Sequence, residues 1–299
     1  MIRQSRPIPI PDIKLLIFDL DGTLVDSRID LANSVNAMLR HYGKPELPND
    51  LIGSYIGNGA PMLVRRSLGD PDDESFVQEA VLYFMAYYRE HKLDTTYVYR
   101  GIKEALDAIQ NSRNGAGAQT KHALTDPSPS LRISAADSRS TSASLTPAGR
   151  LDPSTSLRIS AADSRSASAS LTPAGRLKMA VLSNKPVGPS RAIVEALGLG
   201  QYFFQVYGGN SFHTKKPDPA GVQALLEESG SRSGETVIIG DSDVDIITAR
   251  NAGAYSIGVT YGLAPHTLED APPDVLIDKP EELATVLTRK DQVIGRAGM

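Results

Sequence analysis

Short apolar runs alternate with stretches of helical spacing along most of the chain, a pattern typical of α/β proteins with a parallel sheet. The apolar runs that predict buried strands are residues 14–19, 178–183, 204–209, 236–240, 254–259 and 274–278. Helical spacing lies between most of them, at residues 188–197, 219–228 and 243–252. The pattern therefore predicts a Rossmann-like parallel sheet covered by helices.

A block of helical spacing interrupts this alternation after the first predicted strand. It covers residues 30–92, where apolar positions recur at helical intervals. Helices inserted at this point would lie above the carboxyl ends of the strands and act as a lid. We therefore expect a helical cap at residues 30–98 and a core made of residues 12–29 and 99–299.

The middle of the chain contains a tandem repeat. Residues 126–151 recur at 152–177 with two differences, and no Phe, Tyr or Trp occurs between Tyr99 and Tyr202. The polar, Ser- and Ala-rich stretch at 112–176 buries too little apolar surface to offset its chain entropy. We expect a disordered or loosely ordered insert there, and we favour a tolerated duplication over a basic interaction arm.

The composition argues against several classes of protein. The 299 residues carry a formal charge of −4, whereas nucleic-acid-binding proteins need a basic excess. The chain has no cysteine, which excludes thiol catalysis, disulfides and thiolate metal sites. Its apolar stretches are shorter than a membrane span, and its first residues lack the apolar core of a signal peptide. We expect a cytoplasmic protein without nucleic-acid or membrane partners.

Polar side chains follow three of the predicted strands, at the edge where open sheets bind ligands. Two aspartates two positions apart, Asp19 and Asp21, suit the roles of nucleophile and of general acid or base. Asp19 and Asp241 offer the hard oxygen ligands that Mg²⁺ prefers. Lys216 and the hydroxyl of Ser183 would neutralise a phosphoryl group during its transfer.

The motifs that hold these residues resemble, in their order along the chain, those of the haloacid dehalogenase superfamily. They read FDLDGTLVDS (18–27), VLSNKP (181–186), KKPDP (215–219) and IGDSDVDIITARNAG (239–253). More narrowly, the chain resembles the bacterial phosphoglycolate phosphatases, in the landmarks IGNGAPMLVRRSL (56–68), YRGIKEALDAI (99–109), YGGNSFHTKKPDP (207–219) and GVTYG (258–262). The resemblance covers the chain except the first dozen residues and the insert, which interrupts the family pattern after DAIQ.

This resemblance implies a role for each strand-end residue. Asp19 would be the nucleophile and a Mg²⁺ ligand, and Asp21 would be the general acid and base, with its backbone carbonyl on the metal. Asp241 would be a further metal ligand, while Asp245 would orient a water on the metal or Lys216 without binding the metal itself. Dehalogenating members of the superfamily lack the second aspartate, so Asp21 indicates phosphoryl transfer. The residues that would hold the phosphoryl oxygens are Ser183, Asn184 and Lys216.

The resemblance also implies a small phosphorylated metabolite as the substrate, with 2-phosphoglycolate hydrolysed to glycolate and phosphate. Within the same chemistry, the alternatives are another small-molecule phosphatase, a pyrophosphatase or a sugar-phosphate mutase. From a different class, a non-catalytic interaction protein would use the basic insert as its binding arm. The motifs do not indicate an oligomeric state.

Some of the same residue types also have structural interpretations. We expect Asp26 and Ser27 to cap the first helix of the predicted cap rather than to bind substrate, with Asp30 completing an S-x-x-D spacing. Ser242 and Asp245 have the same spacing, which is typical of helix caps. The aromatic residues at positions 83, 84, 87 and 88 are more typical of a helix core than of a ligand site.

Two loop segments complete the set of candidates. The glycines on either side of Asn58 suit an ordinary turn or a lid loop that touches substrate, and both interpretations stay open. We expect Lys215 to be solvent-exposed, and His213 to be structural or solvated rather than catalytic.

Overall fold

The fold is taken from a computed structural model that describes residues 1–114 and 177–288, with side chains through residue 112 in the first segment. All of these residues lie in one compact unit. The prediction of a disordered or loosely ordered insert at 112–176 falls outside the described residues, except where it overlaps the end of a helix that continues to Asn114.

A seven-stranded sheet forms the centre of this unit. The strands, including a separate two-stranded pair, are β1 (Arg3–Gln4), β2 (Leu15–Phe18), β3 (Val25–Asp26), β4 (Tyr97–Val98), β5 (Lys178–Leu182), β6 (Gln205–Tyr207), β7 (Thr236–Gly240), β8 (Tyr255–Val259) and β9 (Val275–Ile277). The large sheet has the order β1-β9-β8-β7-β2-β5-β6. Neighbouring strands within this sheet are parallel, except that β1 runs antiparallel to β9. All six predicted strands are present.

The central strand β2 is apolar on both faces. Leu15–Phe18 is fully buried, and the strand pairs with β5 on one side and β7 on the other. At its carboxyl end, Phe18 lies opposite Val181 of β5 and Ile239 of β7. The three strands therefore end almost level, and the residues that follow them meet at one edge.

The helices form two groups, of which one covers both faces of this sheet and the other forms a separate layer. Within the described residues they are α1 (Arg28–His41), α2 (Asn49–Gly53), α3 (Ala60–Ser67), α4 (Glu74–His91), α5 (Ile102–Asn114), α6 (Val187–Ala196), α7 (Ala220–Ser229), α8 (Asp243–Ala252) and α9 (Glu281–Leu287). The helices that cover the sheet are α5–α9, and those of the separate layer are α1–α4. Alternate β2 side chains point to opposite faces. Leu16 and Phe18 pack in one cluster with α5, α6 and α9, while Leu15 and Ile17 pack in another with α7 and α8. The predicted α/β class is confirmed.

The helices α1–α4 have a hydrophobic cluster of their own, which includes Val35 of α1, Val64 of α3 and Phe84 of α4. The chain enters this helical layer through β3 and leaves it through β4, and these two short strands pair antiparallel. The layer corresponds to the segment predicted as a cap, except that α1 begins two residues earlier, at Arg28. The boundaries of the cap at 30 and 98 stay a prediction. None of the described helices is both long and apolar enough to cross a membrane.

The two predicted caps have different outcomes. Ser242 and Asp245 form the expected capping box at the start of α8. At α1 the prediction is wrong for Ser27 and Asp30, because the hydroxyl of Ser27 donates to Asp21 and the carboxylate of Asp30 accepts from distant threonines. Asp26, the other residue expected to cap α1, does bind its start: Asp26 Oδ1 accepts the backbone N–H of Arg28 at 3.0 Å.

Candidate active site

The polar residues predicted at the strand ends meet at one edge of the sheet. Asp19 directly follows β2, Ser183 follows β5 and Asp241 follows β7, and all three residues are buried. Lys216 reaches the same edge from the loop after β6 and is also buried. The parallel register of the three strands produces this convergence.

The ammonium group of Lys216 lies between two carboxylates. Its Nζ is 2.9 Å from Asp19 Oδ1 and 2.6 Å from Asp245 Oδ1. Burial by itself lowers the pKa of Lys216, but the charges of Asp19 and Asp245 outweigh burial and raise this pKa above its ordinary value. The ammonium group therefore stays charged at neutral pH and holds both carboxylates in place.

Three carboxylates form a buried acidic cluster around this lysine. One carboxylate oxygen from each of Asp19, Asp241 and Asp245 lies within 4.8 Å of the other two. Burial raises the pKa of Asp241 to about 8, and the charges of Asp245 and Asp19 add to the rise. Burial also raises the pKa of Asp19 to about 6, although Lys216 opposes this. Three buried acids, of which two contact the one lysine, suit a divalent metal ion, whose charge would favour the ionised carboxylates.

This cluster differs in one member from the predicted metal ligands. Asp19 and Asp241, two of the predicted ligands, belong to it, and Asp245, which the resemblance places beside the metal rather than on it, is the third member. That these residues bind a metal stays a prediction. The side chain of Asp21 is not part of the cluster, and the predicted contact of its backbone carbonyl with the metal stays a prediction.

Asp241 is held by close approaches of the main chain. Its Oδ2 accepts the backbone N–H groups of Leu263 at 2.7 Å and of Ala264 at 3.0 Å. A Cβ on Gly22 would lie 2.2 Å from Asp241 Oδ2, and one on Gly262 would lie 2.3 Å from Asp241 Cβ. Glycine is therefore required at both positions for the two turns to close on this carboxylate.

The second aspartate occupies a separate position with its own cation. Asp21 Oδ1 accepts a hydrogen bond from Ser27 Oγ at 2.6 Å. Lys185 Nζ donates to Asp21 Oδ1 at 3.2 Å and to Oδ2 at 2.9 Å, and it lies 4.5 Å from the centre of the Tyr88 ring. Asp19 and Asp21 are thus paired with different lysines, which allows them different chemical roles.

Lys185 is a residue that the sequence analysis does not single out. It stands within the VLSNKP motif, two positions after Ser183, and it is buried. Burial lowers the pKa of Lys185, but Asp21 and then Tyr88 outweigh burial and raise this pKa above its ordinary value. Its place in a strand-end motif is the one sequence signal that could have indicated a role in the site. The sequence does not indicate its partner, Asp21, because that residue is 164 positions away in the chain.

The two residues that follow β5 make different contacts. Ser183 lines the cavity described below, and its Oγ accepts the backbone N–H of Lys185 at 3.3 Å. Asn184 Nδ2 donates to the carbonyl oxygens of Gly57 and Lys216, each at 3.1 Å. The side-chain amide nitrogen of Asn184 therefore joins two backbone segments, and its predicted contact with phosphate stays a prediction.

A cavity opens beside these groups, between the sheet edge and the helical layer. Asp19, Asp21 and Ser183 lie at its polar end, and Lys185 is the one Lys or Arg side chain among the described residues that line it. The apolar residues that line it are Leu31, Ile56, Ala60, Leu63, Phe84, Met85, Tyr88 and Pro186, and Gly57, Gly59 and Asn184 complete the lining. The cavity therefore has a charged end and an apolar wall contributed mainly by the helical layer.

The remaining candidate residues differ in their burial and in whether they line the cavity. Of the four aromatic residues expected in a helix core, Phe84 and Tyr88 are buried there and also line the cavity, whereas Tyr83 and Tyr87 are only partly buried. His213 and Lys215 are exposed, although the Lys215 ammonium donates a hydrogen bond to the helical layer. Gly57 and Gly59 line the cavity, which favours the lid-loop interpretation of their segment over an ordinary turn.

A family model and two named relatives match this chain. The model described as haloacid dehalogenase-like hydrolase matches residues 16–123 and 169–259. A phosphoglycolate phosphatase from Pseudomonas syringae pv. tomato is 28% identical over 255 residues, which are 83% of this chain and 70% of the relative. One from Haemophilus influenzae is 27% identical over 282 residues, covering 92% of this chain and 98% of the relative.

A solved structure has the same fold. The crystal structure of a predicted phosphoglycolate phosphatase from Haemophilus somnus matches with a TM-score of 0.65 and 24% identity. The match covers 92% of this chain and 98% of that structure. The agreement extends over both the sheet and the helical layer, so the architecture described above is shared.

Proposed function

This chain belongs to the haloacid dehalogenase-like hydrolase family, and from that premise we propose that it is a Mg²⁺-dependent phosphatase of small phosphomonoesters. The observation that carries the proposal is the pairing of two nearby aspartates with two different lysines. Asp19 lies beside Lys216 within the acidic cluster, while Asp21 lies beside Lys185, and both aspartates line the polar end of the cavity. This arrangement separates a nucleophile from a proton donor, as phosphoryl transfer with a poor leaving group requires. The assembled site favours an enzyme over a non-catalytic interaction protein.

In the proposed reaction, a carboxylate oxygen of Asp19 attacks phosphorus while the bond from phosphorus to the ester oxygen breaks. Asp21 enters this step in its protonated form and gives its proton to the leaving alkoxide, so that an aspartyl-phosphate, an alcohol and the Asp21 carboxylate are formed. Asp21 then accepts a proton from a water molecule, which attacks phosphorus and releases phosphate and the Asp19 carboxylate. Lys216 and Ser183 would hold the phosphoryl oxygens during both steps.

For the metal we propose Mg²⁺, bound by Asp19 and Asp241 and by the backbone carbonyl of Asp21, with Asp245 beside it. The buried excess of carboxylates fits this group, because only added positive charge would keep Asp241, with its pKa of about 8, ionised at neutral pH. When bound, the ion would supply positive charge to the phosphoryl oxygens.

We propose 2-phosphoglycolate as the substrate, with residues 30–98 acting as a cap over the cavity. The relatives named above support this choice. The cavity agrees with a small leaving group that bears one negative charge, because Lys185 can face its carboxylate. It disfavours a sugar phosphate, since the hydroxyl groups of a sugar would meet the apolar wall formed by residues such as Leu63 and Met85.

The test is phosphate release from a panel of 2-phosphoglycolate, phenyl phosphate, pyrophosphate and glucose 1-phosphate, with and without Mg²⁺. We expect turnover that depends on Mg²⁺ and is fastest with 2-phosphoglycolate. Asp19→Asn should lower kcat by at least about 1,000-fold while the protein stays folded, because the amide cannot attack phosphorus. Asp72→Asn, at an exposed aspartate outside the cavity, is the matched control and should keep full activity.

Faster turnover of another ester would replace the substrate and keep the mechanism. Conversion of glucose 1-phosphate to glucose 6-phosphate would indicate a mutase. Full activity of Asp19→Asn would exclude the proposed nucleophile.

A further inference from the structure

The turn between α2 and α3 forms part of the cavity wall. We refer to Gly57–Asn58–Gly59 as the cap loop. Both of its glycines line the cavity, next to Ile56 and Ala60. The position of the cap loop therefore decides how closely the wall surrounds the leaving group.

Two side chains from the sheet edge hold this loop by its backbone carbonyls. Lys215 Nζ donates to the carbonyl oxygen of Asn58 at 2.6 Å, and Asn184 Nδ2 donates to that of Gly57 at 3.1 Å. Lys215 is exposed as a whole, but partial burial lowers its pKa, which agrees with an ammonium group that packs against the loop. Hydrogen bonds with a charged donor are the stronger kind, so the contact from Lys215 carries more of the attachment.

The close approach of the backbones gives a second, independent sign of this attachment. A Cβ on Gly59 would lie 3.1 Å from the carbonyl oxygen of Asn184 and 3.4 Å from Lys215 Nζ. At Gly57, a Cβ would meet nothing within 4 Å. The cap loop is therefore in tight contact with the sheet edge at Gly59 and has free space at Gly57.

We propose that Lys215 and Asn184 are positioning residues that hold the cap loop against the phosphate-binding edge. Each is the chain neighbour of a residue proposed to bind phosphate, since Asn184 follows Ser183 and Lys215 precedes Lys216. The placement of the cavity wall is thereby tied to the placement of the phosphoryl group. The effect on turnover rests on the proposed function, whereas the attachment itself does not.

The first test replaces Lys215 by methionine, which keeps most of the side-chain length and removes the charge. Hydrogen–deuterium exchange of amides at 54–64 should become at least about fivefold faster, because the loop loses its charged hydrogen bond. The kcat/KM for the substrate should fall about tenfold, mainly through KM, because the wall no longer closes on the leaving group. Lys215→Arg, which restores a charged donor, should recover both values to within about threefold. Lys103→Met, at an exposed lysine of α5, is the matched control and should change neither.

The second test uses the two loop glycines and leaves both donors in place. Both glycines have positive φ, +87° for Gly59 and +118° for Gly57, so alanine strains the backbone at either position. Only Gly59→Ala also places a methyl group 3.1 Å from the Asn184 carbonyl oxygen, so that the loop or its neighbour must shift by a few tenths of an ångström. Exchange at 54–64 should therefore rise more in Gly59→Ala than in Gly57→Ala.

Unchanged exchange at 54–64 in folded Lys215→Met would overturn the proposal, and so would failure of Lys215→Arg to restore it. Equal effects of the two glycine variants would also contradict it. Because exchange is measured without substrate, an enzyme that proved inactive toward every phosphoester would refute the proposed function and still leave this attachment testable.

Discussion

The carboxylate of Asp21 depends on one buried cation, Lys185. Both side chains are almost fully enclosed, at 11% exposure for Asp21 and 5% for Lys185, so little water can reach either charge to replace its partner. Lys185→Met should lower the free energy of unfolding by about 3 kcal/mol, because it leaves a buried carboxylate without its cation. Urea unfolding at neutral pH measures this change.

A double-mutant cycle provides the control for this pair. In Asp21→Asn/Lys185→Met no charge remains, and stability should return to within about 1 kcal/mol of the original protein. Simple addition of the two single effects would show that the pair is not coupled. Activity should be lost in the double variant, since the proposed proton donor is absent.

Asp241 makes stability depend on pH in the metal-free protein. Its pKa is about 8 in the folded chain, against an ordinary value of 3.8 for an aspartate, so the folded state binds more protons between these limits. Stability should therefore fall as pH rises from about 4 to about 8 and then level off. Asp19, with a pKa raised to about 6, acts in the same direction over a narrower range.

Bound Mg²⁺ should reverse this trend, because it requires the ionised carboxylates. The rise in Tm on adding Mg²⁺ should be larger at pH 8 than at pH 6, as measured by thermal unfolding with Mg²⁺ or with a chelator. Asp241→Asn should flatten the pH dependence and abolish the Mg²⁺ response. An equal Mg²⁺ response in this variant would place the metal elsewhere.

At the scale of the elements, the side chain of Asp30 joins the segment that enters the helical layer to the segment that leaves it. Asp30 of α1 accepts hydrogen bonds from the backbone N–H and the hydroxyl of both Thr95 and Thr96, at 2.6–3.1 Å. These threonines directly precede β4, and the β3–β4 pair lies next to them. One buried carboxylate thus ties the start of the layer to its end.

Asp30→Asn should destabilise the protein by about 2 kcal/mol, because the amide offers one acceptor oxygen in place of two and adds a donor that faces other donors. Urea unfolding measures the loss. Asp50→Asn, at an exposed acid in the first turn of α2, is the matched control and should change stability by less than about 0.5 kcal/mol. Equal effects would argue against a joining role for Asp30.

At the scale of the whole molecule, the attachment point of residues 115–176 and the proposed catalytic groups lie at opposite ends of β5. Residues 115–176 follow α5 and precede β5, whose amino end at Lys178 lies opposite Leu15. Ser183 and the other site residues lie at the carboxyl end of the strands. The described residues therefore contain every group that the proposed reaction requires.

Replacing residues 115–176 by a short Gly/Ser linker should leave kcat/KM within about threefold of the original value, because loop length has little effect on stability. The measurement is phosphate release from 2-phosphoglycolate, with Asp19→Asn in the shortened chain as the inactive control. A folded but inactive shortened chain would contradict the prediction and would assign the insert a part in the reaction.

Local patterns in the sequence predicted much of this protein. Apolar runs and helical spacing depend only on neighbouring residues, so the α/β class and all six predicted strands were correct to within one or two residues. The strands β1, β3 and β4 escaped prediction because two residues carry no periodicity. The strand-end motifs likewise placed Asp19, Ser183 and Asp241 at one edge, because the carboxyl ends of parallel strands must meet there.

Only the tertiary structure decided which side chains become partners. Lys185 pairs with Asp21 across 164 positions, Lys215 reaches Asn58 across 157, and Asp30 meets Thr95 across 65. The spacing of Ser27 and Asp30 predicted a local cap, yet both side chains bind more distant groups instead. A motif determines where the backbone presents a side chain, whereas its partner depends on how the helical layer packs on the sheet.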